Sequence, residues 1–504
     1  MAKPKQPTGG SRSLAATAAA SESKAGRKTS GGKARDTKAR AKTGRKGRKA
    51  SSPAQDFRAR VRMYRQGIGD CLLVSLPRAG GDGLYHVMVD CGVLLGTPDA
   101  RGWMQRIVAD IAETTGGRVD LLVVTHEHWD HLSGFIDAAE EMAALDFGQV
   151  WMSWAENPDD PQARALEEAR AKAIRALRLA EAQLTLAGAP DAEPLSSLMG
   201  LFGSRGRTTR DALDAARAHA PDGGPRYLEP GASLPLDGTT ARVHVLGPPR
   251  DDALLRRSNP RRGEGYGFAP GLSVDEMLEL LGDPPLRQGF SAGSSDAPEH
   301  PAAAAAHPPA APFAARWGIP LAMARSLPFF ARAIDTPGQE WRRIETAWLD
   351  SALDLALRLD RDTNNSSLAL AIELEGGDVL LLAADAQVGN WLSWQGLEFN
   401  GASGPVQGPD LLARTILYKV GHHGSHNATL RDHGLELMRG ALKTPLVPVD
   451  EAVARARNWT RIPLPELLAA LDEVTGGRVL RSDAPPPDKA DDIDANALRF
   501  DVFV

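Results

Sequence analysis

Thr125-His126-Glu127-His128-Trp129-Asp130-His131 decides the fold. The stretch follows a short apolar run, Asp120 to Val124, that reads as a buried strand running into a loop. Its ligand-type residues form the pattern H-x-H-x-D-H. Neutral imidazole and carboxylate bind zinc and other borderline divalent ions well. In an extended stretch, residues two apart point to the same side, so His126 and His128 can clamp one ion. Asp130 and His131 come after a turn and can face a second. A single histidine here would read as a polar loop residue satisfying the backbone. Four ligand types in six positions at a strand end read as a site, because such a loop is held rigidly yet stays open to solvent.

Working outward, the chain holds 12 histidines, and His422, His423 and His426 form a second cluster. It too follows an apolar strand, Thr415 to Val420, and it is flanked by Gly421 and Gly424, as where something approaches the backbone closely. Two exposed histidines in a turn are the plain alternative for that pair alone. Asp385 ends the run Val379 to Leu382 followed by Ala383-Ala384, where an unpaired buried carboxylate would be costly. A helix N-terminus would tolerate it, but with two histidine clusters in the chain it reads as a metal ligand.

Short strands punctuated by Gly and Asp are expected at 58–63, 71–76 and 85–90, a β-meander. Trp103, Ile107 and Ile111 recur at helical spacing, and 132–145 reads as a second helix. Strands are expected at 150–152, 241–246, 367–372, 379–382, 415–420 and 499–504, and one long amphipathic helix at 166–184. The Pro-, Ala-, Gly- and Ser-rich segment 284–313 reads as a mobile loop whose His300 and His307 are bystanders. The expectation is a mixed α/β domain over 56–504, with 155–345 as an insertion between its halves and 1–55 as a disordered basic arm.

The charge is divided unevenly. The net −5 conceals 15 Lys/Arg against two acids in residues 1–50, so the arm carries +13 and the remainder −18. That asymmetry makes nucleic acid or another polyanion a candidate partner for the arm. A Ser-rich, acid-poor start also has the character of an organelle transit peptide, but a solvated tail is the plainer reading. Leu14 to Ala20 is too short and weak for a secretory signal, and no run of 18 apolar residues predicts a membrane span. Two cysteines, Cys71 and Cys91, exclude a disulfide scaffold and make the cytoplasm the default compartment.

Taken together, these residues resemble the metallo-β-lactamase fold. The resemblance rests on H-x-H-x-D-H at 126–131, Asp385 after its strand, and His422–His423. Within that fold the chain is similar to the hydrolase domain of the competence protein ComEC and its relatives. The matching pieces are Gly67-Ile68-Gly69-Asp70-Cys71, Val89-Asp90-Cys91-Gly92, Asn364-Asn365-Ser366-Ser367-Leu368 and Lys419-Val420-Gly421-His422-His423-Gly424-Ser425. They are scattered over roughly 57–155 and 345–430.

The resemblance implies an αββα sandwich with two divalent metal ions at one edge, zinc by ligand type, with manganese or iron also fitting. It assigns His126 and His128 to the first ion, Asp130 and His131 to the second, and Asp385 to both, with one or both of His422 and His423 completing the shell. The ions would lower the pKa of a bridging water and clamp the leaving oxygen. Asp130 would also orient that nucleophile. The non-ligand member of His422/His423, with Ser425, the Gly424 amide and His426 beside them, would hold the substrate. The chain departs from the family in two places: Ala384 stands where a glycine is expected, and no central histidine offers a third ligand to the first ion. His219, His244, His300 and His307 lie in no such motif.

The implied activity is metal-dependent hydrolysis of a phosphodiester, nucleic acid included. Two other readings stay open: a hydrolase of another ester, thioester or lactone, and a non-enzymatic metal-containing binding or defence component. Fold alone does not choose among them. Asp90 and Asn365 read as structural supports.

Overall fold

The short apolar runs assemble into two mixed sheets in the computed structural model, which describes residues 57–504 except 82, 188–191, 205, 258–322, 324–325, 335–346, 402–403, 458, 460 and 488–489. The basic arm and the 284–313 segment with His300 and His307 lie outside the described residues.

The first sheet has eight strands. Arg60–Tyr64, Leu72–Pro77 and Leu84–Val89 form the expected antiparallel meander. Leu121–Val124, Val150–Ser153 and Arg226–Leu228 then add in parallel on one side. On the other side Arg499–Phe503 pairs antiparallel with Arg60–Tyr64, and Ile493–Ala495 closes that edge. The second sheet has seven strands. Ser233–Pro235, Arg242–Val245, Leu370–Glu373 and Val379–Leu382 run antiparallel. Thr415–Lys419, Thr444–Val447 and Leu480–Arg481 continue it in parallel.

Alternation within the strands builds the core. Val61, Val74 and Val87 of the first sheet share one cluster with Val243, Leu370, Leu380 and Leu417 of the second. Each such buried aliphatic side chain contributes about 1.5–3 kcal/mol relative to exposure. The intervening residues pack the other way. Leu73, Met88 and Leu122 meet Met104, Ile107 and Ile111 of the helix Ala100–Thr115. Ala371, Leu381 and Tyr418 meet Trp391 and Trp394 of the helix Val388–Trp394. Sheets covered on both faces read as unbroken apolar runs, which is why Leu121–Val124 and Val379–Leu382 show no alternation.

The parallel strands position the site. Leu84–Val89 lies beside Leu121–Val124, and Val379–Leu382 beside Thr415–Lys419. Their carboxyl ends release Asp90, the 125–131 loop, Asp385 and the 420–426 loop. Such ends are the usual ligand-binding edge of parallel sheets.

Two sequence expectations need correction. The single helix expected over 132–145 begins at Trp129, inside the histidine motif, and breaks at Ala138, whose φ −121°, ψ 36° is not helical. The stretch 155–345 is not one continuous insertion. Its helices Pro161–Ala187, Ala192–Met199 and Thr209–Arg217 stand outside the sheets, whereas 226–228, 233–235 and 242–245 are sheet strands. The three-residue strands 226–228 and 233–235 are too short to carry a period-two signal, whereas 242–245 falls within the strand expected at 241–246.

A helix that no sequence motif had singled out, Ala347–Asn364, packs Ala352, Ala356 and Leu359 against Ala173, Ala176, Leu177 and Leu195. The i, i+4, i+7 spacing puts the three on one helix face, and the two alanines let the helices approach closely. Among the described residues no helix is long and apolar enough to cross a membrane.

Candidate metal centre

Backbone bonds stitch the loops together before any side chain acts. Asp70 N donates to Asp130 O (3.0 Å), Gly92 N to Asp70 O (2.9 Å) and Cys91 N to His131 O (2.8 Å). Gly92 has no room for a side chain, since a Cβ there would lie 2.3 Å from the carbonyl carbon of Asp130. Gly92→Ala is therefore expected to push Asp130 out of place, destabilising the fold by about 1–3 kcal/mol and lowering metal content. Denaturant unfolding and metal analysis of that variant check both effects.

The structure brings the predicted ligands together. His126 Nε2 lies 3.1 Å from His128 Nδ1. His131 Nε2 lies 3.3 Å from Asp385 Oδ2, and His423 Nε2 lies 2.9 Å from Asp130 Oδ2 and 3.8 Å from Asp385 Oδ2. Three groups have ligand atoms within 4.8 Å of one another: His126, His131 and Asp385; Asp130, His131 and His423; and Asp70, Asp90 and His131. All are buried. These histidine and aspartate groups are close enough to hold a metal ion.

Of the two histidines of the second cluster, His423 lies with Asp130 and His131, and His422 is in none of the three groups. The His422 ring contacts Ser425 Oγ (2.7 Å), Asn364 Nδ2 (3.2 Å) and Asn427 Oδ1 (3.3 Å), while its backbone N–H donates to Asp385 Oδ1 (2.9 Å). Both residues sit at positive φ, 44° and 51°, a left-handed pair that turns the two rings apart. The Gly424 N–H is donated to Gly421 O (2.9 Å). Ser425 and His426 line the same cleft as His422.

Asp90 is the support expected of it. It accepts from Thr125 N (2.9 Å) and Thr125 Oγ1 (2.6 Å), and it meets His131 Nδ1 at 2.8 Å. Asn365 ties the helix end to Leu255 O (2.7 Å) and takes the Asn390 amide at 3.0 Å. Glu127, within the motif, turns away to Arg170 (2.7 Å) and Thr209 (3.0 Å). It lines a different cavity of about 550 Å³ that contains none of the ligand histidines. His219 packs near Phe135 and Phe147, and His244 binds Ser233 and Glu373, so neither reaches the centre.

The local field favours positive charge. Asp70, Asp90, Asp130, Asp360 and Asp385 are buried, and the ammonium of Lys419 meets two of them, Asp70 and Asp385. Burial opposes charge on His131, but Asp385, Asp70 and Asp90 outweigh it and hold its pKa well above the usual imidazole value. His423 is also raised, by Asp385 and Asp130 against the effect of burial. Burial opposes charge on Asp385 too, yet Lys419 and His131 hold it well below the carboxylate range. Burial prevails at His128, which falls to about 3, and at His422, which falls to about 4, while at Asp360 burial together with the charges of Asp130 and Asp385 raises the carboxyl to about 7. Asp70 Oδ1, Asp130 Oδ1, His128 Nε2 and His131 Nε2 are buried without a hydrogen-bond partner. Orphaned donors and acceptors of this kind, among surplus carboxylates, fit a bound cation.

Sequence reading passed over Asp70, Lys419, Asp360 and Asn364 as groups of the site. Lys419 had a signal: a lysine within the apolar run Thr415 to Val420 is buried only if paired. Asn364 lay in the quoted piece 364–368 but was given no role, and Asp360 had no signal, because the place of both follows from how one helix docks. The cleft they line, about 300 Å³, also contains Arg361, Arg461 and an apolar wall of Leu198, Leu201 and Leu357.

No family model and no curated protein matches the chain.

Proposed function

We propose that the chain is a metal-dependent hydrolase of the metallo-β-lactamase fold, akin to the ComEC-type hydrolase domain, acting on a phosphodiester with two divalent ions, zinc by ligand type. Supporting the fold assignment are two sheets sharing one core and each covered by helices on its other face. The observation that carries the function is the meeting of His126, Asp130 and His131 with Asp385 and His423, residues from opposite halves of the chain, at one buried edge.

Ions held there would activate a water and offset charge on the leaving oxygen. The protein's own groups do the rest. Asp130 Oδ2 is fixed by His423, which leaves the buried Oδ1 to orient the attacking water. His423 is fixed in turn by Pro448 O (2.8 Å). Lys419 keeps Asp385 ionised. Phosphate oxygens would meet Ser425, Asn364 and His422 and the guanidinium groups of Arg361 and Arg461 along the cleft. Those cations favour an anionic substrate. The apolar wall is the feature that favours the second reading, an ester, thioester or lactone with a hydrocarbon body.

The test is hydrolysis of bis(4-nitrophenyl) phosphate, single-stranded DNA and RNA, and a lactone and thioester panel, by metal-loaded protein. Phosphodiester cleavage is expected, and Asp130→Ala is expected to lower it by about 10²–10⁴-fold. Turnover of the carboxylic esters alone would move the assignment to the second reading. Removing residues 1–50 is expected to leave turnover of the small diester unchanged and to weaken only binding to polyanions, with a shallower salt dependence. Loss of small-diester turnover on that truncation would contradict this division of labour.

A further inference from the structure

Each candidate ligand histidine has one ring nitrogen facing the centre and one facing outward. Three of the four outward nitrogens are already held. His126 Nδ1 meets Thr125 Oγ1 at 3.0 Å, His131 Nδ1 meets Asp90 Oδ2 at 2.8 Å, and His423 Nδ1 meets Pro448 O at 2.8 Å. A metal-bound histidine nearly always engages its second nitrogen in this way, which fixes both tautomer and ring orientation. His128 is the exception. Its Nδ1 faces His126 Nε2, while its Nε2 is buried without a hydrogen-bond partner, on a residue only 2% exposed.

The carboxylate facing that orphan belongs to Asp360. Its Oδ1 lies 3.9 Å from His128 Nε2, about 1 Å beyond hydrogen-bond length. Asp360 is itself buried, and its own partner is the Asn364 amide at 3.3 Å, one helical turn on. No Lys or Arg forms a salt bridge with it among the described residues. The rings of Phe202 and His128 pack edge to face, 5.1 Å between centroids.

We infer that Asp360 is the outer partner of the first metal site: it accepts the Nε2–H of His128 and so keeps the Nδ1 lone pair turned toward the ion. Asp360 is a positioning residue and does not touch the substrate. The inference rests on the metal reading above. It makes the docked helix Ala347–Asn364 part of the centre, through Asp360 at His128 and Asn364 at His422.

The experiment is equilibrium dialysis against zinc, with the absorption spectrum of the cobalt-substituted protein as a second readout. Full-chain wild type, Asp360→Ala, Asp360→Asn and the neighbouring Asp362→Asn are compared. Wild type and Asp362→Asn are expected to bind two ions alike. Asp360→Ala is expected to bind one ion about 10–100-fold more weakly and to alter the cobalt spectrum. Asp360→Asn keeps an acceptor without the charge, so it is expected to fall between, and it serves alone if the alanine variant does not fold. Wild-type affinity for both ions in folded Asp360→Ala and Asp360→Asn would overturn the inference and leave the metal reading standing. Wild-type protein that binds no metal would overturn both.

Discussion

Asp385→Ala is expected to leave less than one metal ion per chain and to lower diester turnover by at least about 10²-fold. Asp385 reaches both histidine clusters from outside either of them. Its Oδ2 lies 3.3 Å from His131 Nε2 and 3.8 Å from His423 Nε2. Its Oδ1 accepts from the backbone N–H of His422 (2.9 Å) and from Lys419 Nζ (3.2 Å). Alanine removes a ligand and also strands a buried amide and part of a buried ammonium. Breaking a buried ion pair from one side costs about 3–5 kcal/mol, so the metal-free variant should unfold at clearly lower denaturant. Elemental analysis and a denaturant titration read the two effects separately. Wild-type metal content in this variant would remove Asp385 from the centre.

Lys419→Met is expected to destabilise the fold by a comparable amount, about 3–5 kcal/mol. Lys419 is 1% exposed, and its ammonium contacts Asp70 Oδ2, Asp385 Oδ1 and Ala384 O. Burial works against its charge, but Asp70 and Asp385 outweigh that and hold its pKa above the ordinary lysine value. Methionine keeps the length and packing but leaves two buried carboxylates uncompensated. Adding Asp70→Asn removes one of them, so the double variant should recover part of the loss. That non-additivity is what a double-mutant cycle measures. Additive effects of the two substitutions would show that Lys419 and Asp70 do not act as a pair.

The candidate ligand residues could be picked out in the sequence because their chemistry is local. His126 to His131 announces itself by composition within six positions, and His422–His423 by its place after an apolar strand. Asp385 was legible because a carboxylate at the end of Val379–Leu382 needs a reason to be there. Strand positions followed from apolar runs bounded by Gly and Asp, with Leu84–Val89 and Val379–Leu382 found within a residue of their ends. What could not be read depended on contacts between distant segments. Asp360 meets His128 only because Ala352, Ala356 and Leu359 seat their helix on Ala173 and Leu177. Strands 226–228 and 233–235 belong to the sheets through pairing, with too few residues for a periodic signal. The division between His422 and His423 needed backbone angles, since adjacent identical residues carry no sequence distinction.

The proposed hydrolase needs two ions where His126, Asp130, His131, Asp385 and His423 converge. The most direct measurement is therefore metal stoichiometry of the purified chain coupled to diester turnover as metal is removed and restored. The expected result is about two divalent ions per chain, turnover that disappears with a chelator and returns with zinc or manganese, and neither property in Asp130→Ala. Full turnover in rigorously metal-free protein, or loaded protein inactive on every diester offered, would contradict it.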